Sequence, residues 1–133
     1  MKKSVVIVED NKEFAGVLTE YIESFTNFEV VHFVSAIKAL DYIHLHHFSI
    51  AGVVSDILMR EMDGIDFVAH LRESKDGHNI PFIFLSGTQS EVFNSMIKPY
   101  NVANFLEKPV DLSKLVDAME ESFHGGSSGS LAA

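Results

Sequence analysis

Cysteine is absent from the 133 residues, which removes a disulfide framework, a thiolate zinc site, an iron–sulfur cluster and a cysteine nucleophile together. Long apolar runs are missing as well. The chain passes from Met1-Lys2-Lys3-Ser4 through only Val5 to Val8 before reaching Glu9-Asp10, too short a stretch for a signal-peptide core or a membrane span. Positive charge is scarce, with 10 Lys and Arg against 19 Asp and Glu and a formal charge of −9. That balance repels nucleic-acid backbones and anionic lipid, so neither direct nucleic-acid binding nor membrane association is expected; a cation or a basic protein surface suits it better. A soluble, cytoplasmic protein is the default expectation.

What is present is enough for one ordinary domain. Apolar residues make up 47% of the chain and charged ones 22%, a composition that builds a core and excludes intrinsic disorder of the body. The exception is the end. Gly125-Gly126-Ser127-Ser128-Gly129-Ser130-Leu131-Ala132-Ala133 carries no charge and reads as a flexible Gly/Ser linker, either a cloning remnant or a natural connection to a further domain. Folded structure is therefore expected over residues 1–124, with 125–133 as linker.

Within 1–124, short apolar runs alternate with stretches of helical spacing, the pattern of an α/β fold. Val5-Val6-Ile7-Val8 is the first run, as expected for a parallel strand covered on both faces. Phe14, Val17, Leu18, Tyr21, Ile22 and Phe25 then form one helical stripe, opened by Asp10-x-x-Glu13 in capping-box form. Glu29 to Val34 is the second strand, followed by a stripe of Ala36, Ala39, Leu40 and Ile43. The third run ends on a carboxylate, Gly52-Val53-Val54-Ser55-Asp56, and Met62-Asp63-Gly64 caps a helix with Phe67, Val68 and Leu71 on one face. Pro81 to Ser86 is the fourth strand; Thr88-x-x-Glu91 opens a helix with Val92, Phe93, Met96 and Ile97. Asn104 to Glu107 is the fifth strand, and Asp111 caps a helix bearing Leu112, Leu115, Val116, Met119 and Phe123.

In an open parallel sheet, chemistry sits beyond the carboxyl ends of the strands. Those ends carry Glu9-Asp10, Asp56, Ser86 and, just past the fifth strand, Lys108. Two carboxylates 4 Å apart repel by roughly 4 kcal/mol at an effective dielectric near 20, so three would not stay ionised together unaided. A hard divalent cation resolves the conflict. Carboxylates plus water suit Mg²⁺, with Mn²⁺ as a substitute, and no cysteine or strand-end histidine favours zinc. One carboxylate can then act as nucleophile toward a phosphoryl group, with the cation, one lysine and one hydroxyl stabilising its oxygens.

These residues resemble the receiver domains of response regulators in two-component signal transduction. The resemblance spans residues 4–123 and is carried by Val-Ile-Val-Glu9-Asp10-Asn11, Val-Val-Ser-Asp56-Ile-Leu-Met59, Met62-Asp63-Gly64, Ser86-Gly87-Thr88 and Phe105-Leu-Glu-Lys108-Pro109. It implies a flavodoxin-like, doubly wound sheet of five parallel strands in order 2-1-3-4-5 with five helices. It implies further that Asp56 is the phosphoacceptor, receiving its phosphoryl group from a histidine kinase or histidine phosphotransfer protein. By the same resemblance Mg²⁺ is held by Asp10 directly, Glu9 through water, Asp56, and the backbone carbonyl of Leu58. Ser86 and Lys108 match the switch hydroxyl and the lysine that grip the phosphoryl oxygens, and Phe105 matches the aromatic that turns inward. Leu58 and Thr88 match the positions that tune phosphate lifetime, and Lys108-Pro109 is expected in cis. The domain would catalyse only its own phosphorylation and dephosphorylation, acting as a switch rather than an enzyme on other substrates. Phosphorylation would reshape the face of the fourth helix, fifth strand and fifth helix, read by an output domain or protein target that the sequence does not name, or by a second copy in a phosphorylation-dependent homodimer.

Two features depart from the family pattern. Arg60 stands where Pro is common, and Phe105 lacks the hydroxyl of the frequent Tyr. Rival functions remain in view. A haloacid-dehalogenase-type hydrolase would need a second Asp two residues after its nucleophile, where this chain has Ile57-Leu58, and no Gly/Ser/Thr-rich phosphate loop follows the first strand to hold a flavin or nucleotide. A phosphorylation-independent interaction module of the same fold is the remaining alternative. His44, His46 and His47 cluster at a helix end, where imidazole is favoured by the dipole; a metal or pH-switch role is the competing reading.

Overall fold

The structure is a computed structural model that describes residues 2–59, 61–87 and 91–123. Five strands alternate with helices: β1 (Ser4–Val8), α1 (Lys12–Phe25), β2 (Glu29–Phe33), α2 (Ala36–His46), β3 (Ile50–Asp56), α3 (Gly64–Glu73), β4 (Phe82–Ser86), α4 (Glu91–Ile97), β5 (Asn104–Glu107) and α5 (Leu112–Ser122). Single 3-10 turns at His47–Ser49 and Lys98–Tyr100 follow α2 and α4. The strands form one sheet in order β2-β1-β3-β4-β5, every neighbouring pair parallel. Chain order reverses direction across β1 and β3, which opens a crevice at their carboxyl ends.

Side chains alternate along each strand and so feed two cores. Val6, Val8, Val53, Phe82 and Phe84 face α2 and α3, where Ala39, Ile43, Phe67, Val68 and Leu71 meet them. Val5, Ile7, Val54, Ile83 and Leu85 face α1 and α5, meeting Leu18, Ile22, Leu115 and Met119. Each fully buried aliphatic side chain contributes about 1.5–3 kcal/mol relative to exposure. That is why the central strands read as unbroken apolar runs.

Capping decides where the helices start. The Asn11 side chain accepts from Phe14 N–H at 3.0 Å and is the N-cap of α1, so the cap expected at Asp10 belongs to its neighbour. Asp10 is thereby left to the crevice. Asp63 caps α3 through Asp66 N–H, and Asp111 caps α5 through Ser113 and Lys114 N–H, both as the sequence predicts. The α1 stripe is only partly buried, since Val17 and Phe25 face outward. In α4 the expected apolar face is mostly outside: Ile97 alone is buried, while Val92 is 65% exposed. Among the described residues, no helix is long and apolar enough to cross a membrane. Arg60, Thr88 and the 125–133 segment lie outside the described residues.

Candidate functional site

β1 and β3 lie side by side with Val8 opposite Ser55, so the residues that follow, Glu9 and Asp56, emerge together at the carboxyl end of the sheet. Glu9 and Asp56 are buried, at 1% and 5% exposure, and Asp10 is exposed. One carboxylate oxygen from each of the three lies within 4.8 Å of the others. β5 delivers the counter-charge. Its ladder with β4 continues through Lys108 N–H, which donates to the Ser86 carbonyl at 2.7 Å, and the Lys108–Pro109 bond is cis as expected. Lys108 Nζ reaches Asp56 Oδ1 at 2.8 Å and Glu9 Oε1 at 3.2 Å.

Lys108 Nζ thus bridges the two carboxylates, donating a hydrogen bond to Glu9 Oε1 and lying in close ion-pair contact with the buried Asp56. Burial first, then the hydrogen bond and negative charge of Glu9, outweigh the pull of Lys108 and push Asp56 up to about 7. Burial acts against Glu9 too, but the hydrogen bonds with Asp56 and Asn11 N–H and the charge of Lys108 outweigh it and hold Glu9 below the usual range. Desolvation of Lys108 is likewise overcome by the two carboxylates, which raise it. Without a metal, Asp56 therefore takes up a proton more readily than Glu9.

The donor set fits a hard divalent cation: every donor is a carboxylate oxygen, no sulfur is present, and three carboxylates converge where a single ammonium faces them. Around it, Ser86 is buried at the end of β4, Leu58 is exposed in the loop after β3, and Phe105 is half-buried on β5 against the core that contains Phe84. The structure thus brings Glu9, Asp10, Asp56 and Lys108 into direct proximity. Thr88, expected beside them, falls outside the described residues.

Three supporting features escape sequence reading. Asn11 N–H donates to Glu9 Oε2 at 3.0 Å, fixing that carboxylate. His32 on β2 meets the Glu9 carbonyl through Nε2 at 2.7 Å. The Lys108 ammonium also lies 4.9 Å above the Phe14 ring, a cation–π contact. The first uses a backbone N–H that any residue but proline would supply, so the Asn side chain does not announce it; the other two join elements far apart in sequence. Gly64 has a legible cause only in three dimensions: a Cβ there would lie 2.3 Å from the Asp56 carbonyl oxygen and 2.6 Å from the Phe84 ring. Glycine is required so that α3 can close against the loop bearing the acid.

Beside Lys108, the surface dips into a cavity of about 390 Å³ lined by Phe14, Val17, Pro109, Val110 and Leu112. Its walls come from α1, the β5–α5 loop and the start of α5.

Known proteins resemble this chain in sequence and in fold. The family model of the response regulator receiver domain matches residues 5–120. Response regulator Rre1 of Synechocystis is 32% identical over 114 residues, covering 84% of this chain and 48% of Rre1. Sensor kinase CckA of Brucella abortus is 30% identical over 120 residues, 89% of this chain and 12% of CckA. The chain thus spans about half of one of these relatives and a small part of the other. A response regulator receiver protein from Pseudomonas putida superposes with a TM-score of 0.83 at 26% identity, covering 91% of this chain and 98% of that one. The sheet order, the acidic crevice faced by Lys108 and the match over residues 5–120 agree, and the chain belongs to the response regulator receiver domains of two-component signalling.

Proposed function

We propose that Asp56 accepts a phosphoryl group from a phosphohistidine in a Mg²⁺-dependent reaction and that the resulting aspartyl phosphate switches the α4–β5–α5 face. The observation that carries this reading is the Asp56 carboxylate itself: buried, 2.8 Å from Lys108 Nζ, and clustered with Glu9 and Asp10. Asp10, Asp56 and the Leu58 carbonyl, with Glu9 through water, would hold the cation; Mn²⁺ can replace it. The bound cation supplies positive charge that keeps these carboxylates ionised and offsets charge on the phosphoryl oxygens.

An ionised Asp56 oxygen attacks phosphorus. The new O–P bond forms as the P–N bond to the donor imidazole breaks, and the imidazole leaves with the electron pair and takes up a proton. Lys108 then shifts its pairing from the carboxylate to a phosphoryl oxygen, and the Ser86 hydroxyl donates to another. Ser86 and Lys108 are joined through the β4–β5 ladder, so this recruitment pulls on β5 and on Phe105. Leu58, two residues after Asp56, and Thr88, two residues after Ser86 in the sequence, would set access of the attacking water and hence phosphate lifetime. Hydrolysis returns Asp56, and the chain acts on no other substrate.

The partner proposed is a histidine kinase or phosphotransfer protein, consistent with the kinase among the relatives. The apolar cavity beside Lys108, between α1 and the β5–α5 loop, offers such a donor a docking surface next to the acceptor. Incubation with acetyl phosphate and Mg²⁺, read by intact mass, should add one phosphoryl group to the wild-type chain and none to Asp56→Asn or to either chain in EDTA. No gain in any arm would instead favour a phosphorylation-independent interaction module.

A further inference from the structure

His32 stands on β2, outside the acidic cluster, yet its ring reaches the peptide that joins two of the three carboxylates. β1 and β2 run in register as far as Val8 opposite Phe33, and Glu9 N–H extends the ladder by donating to the Phe33 carbonyl at 3.0 Å. Beyond that pair β2 gives way to the Ser35 cap of α2, and the Glu9 carbonyl oxygen meets His32 Nε2 at 2.7 Å. We propose, building on the reading of Asp56 as a Mg²⁺-dependent phosphoacceptor, that His32 is a positioning residue: its Nε2–H holds the Glu9–Asp10 peptide so that both carboxylates face the crevice before a cation arrives.

The tautomer follows from the partner. A carbonyl oxygen only accepts, so a contact of 2.7 Å places the hydrogen on Nε2. The neutral ring supplies that donor, and no charge on the imidazole is needed. Register aims the side chain. His32 pairs with Ile7, and Ile7 and Val30 pack on the α1–α5 side of the sheet, so alternation along β2 puts His32 on that same side. Glu9 lies two residues further along β1, within reach of a ring that leans along its strand.

Glu9 is thereby fixed at both its side chain and its backbone. Asn11 N–H and Lys108 Nζ donate to its carboxylate at 3.0 and 3.2 Å, while Phe33 and His32 hold its N–H and its carbonyl. Asp10 is exposed, and the direction in which it projects is set by the backbone that carries it. A trans peptide is planar, so holding the Glu9 carbonyl toward β2 turns Asp10 N–H the other way, toward β3, which ends on Asp56. One ring hydrogen bond therefore sets the plane from which Asp10 leaves β1. Loss of hydrogen bonds that orient metal-binding groups costs roughly 10–100-fold in affinity. A half-buried donor, whose place water can partly take, belongs at the lower end.

The test compares wild type with His32→Phe, which keeps a flat ring without the donor, and with His32→Gln, whose amide restores an N–H at about the same reach. Calorimetry reads Mg²⁺ affinity, and amide exchange of residues 9–11 in EDTA reads the same peptide with no metal present. His32→Phe should weaken Mg²⁺ binding about five- to tenfold and speed exchange at Asp10 and Asn11. His32→Gln should recover most of both, and saturating Mg²⁺ should return acetyl phosphate labelling of His32→Phe to near the wild-type rate. Unchanged Mg²⁺ affinity in His32→Phe, even with a lowered urea midpoint, or an equal loss in both variants, would overturn the positioning role and leave Asp56 as acceptor. Failure of the wild-type chain to bind Mg²⁺ would overturn the role together with the reading beneath it.

Discussion

The centre of the sheet and its β5 flank are built to different standards. Every residue of β1, β3 and β4 is buried, whereas β5 runs exposed, half-buried, half-buried, exposed. The helices repeat the contrast: α5 buries Leu115, Val116, Ala118 and Met119, while α4 buries only Ile97. Glu9 and Asp56 are anchored in the rigid centre. Lys108 extends from the loose flank, and Ser86 marks the boundary. A site that straddles a stable and a weakly packed region can convert a local charge event into movement of the second without disturbing the first.

The contrast is broken most severely by truncation in the centre. Phe84→Ala, which removes a ring 4.7 Å from Phe82, should cost about 3–5 kcal/mol and lower the urea midpoint of the whole domain. Next in size is the pH response of the metal-free protein. The Asp56 carboxyl lies near 7 in the fold against an ordinary 3.8, so the native state binds more protons than the unfolded one between these values. Stability then falls as pH rises from about 4 to about 7, by on the order of a few kcal/mol. Glu9 acts oppositely, losing its contribution only as pH falls below the ordinary carboxylate range. Urea melts across this window in EDTA should show the decline in wild type and a flattened profile in Asp56→Asn.

Gly64→Ala sharpens the link between α3 and the acid. Because the added carbon meets the Asp56 carbonyl, the Phe84 ring and Ile57 Cα at 2.9 Å or less, it should cost about 1–3 kcal/mol and slow labelling by acetyl phosphate. Arg72→Lys should cost about 1 kcal/mol by giving up a fork that also donates to the Tyr100 carbonyl at 2.8 Å. Its distinguishing readout is faster amide exchange around residues 100–103. Smallest is Val92→Ala on the outer face of α4, which should stay within about 0.5 kcal/mol. A Val92→Ala loss as large as that of Phe84→Ala would erase the distinction.

Much of this organisation was legible in the sequence because strands covered on both faces must be apolar and must end where polarity returns. Val5–Val8 into Glu9 and Val53–Val54 into Asp56 follow that rule directly. Local ambiguity accounts for the α1 cap: Asp10 and Asn11 can both cap a helix, and only the tertiary demand for Asp10 at the crevice decides between them. The exposure of α4 is hidden for a different reason. Its Val92, Phe93, Met96 and Ile97 spacing matches that of a core helix, but it precedes β5, a four-residue edge strand that is itself partly exposed. Long-range pairings such as His32 with Glu9, Lys108 with Phe14, and His47 with Asp76 leave no periodic trace at all.

The most direct test of the account compares amide hydrogen exchange with and without Mg²⁺ and beryllofluoride, a mimic of the phosphorylated acid. The account predicts altered exchange in β4–α4–β5, including Phe105, little change in β1 and β3 beyond the immediate site, and no response in Asp56→Asn. Exchange that is unaffected by the mimic, or altered equally across the central strands, would contradict it.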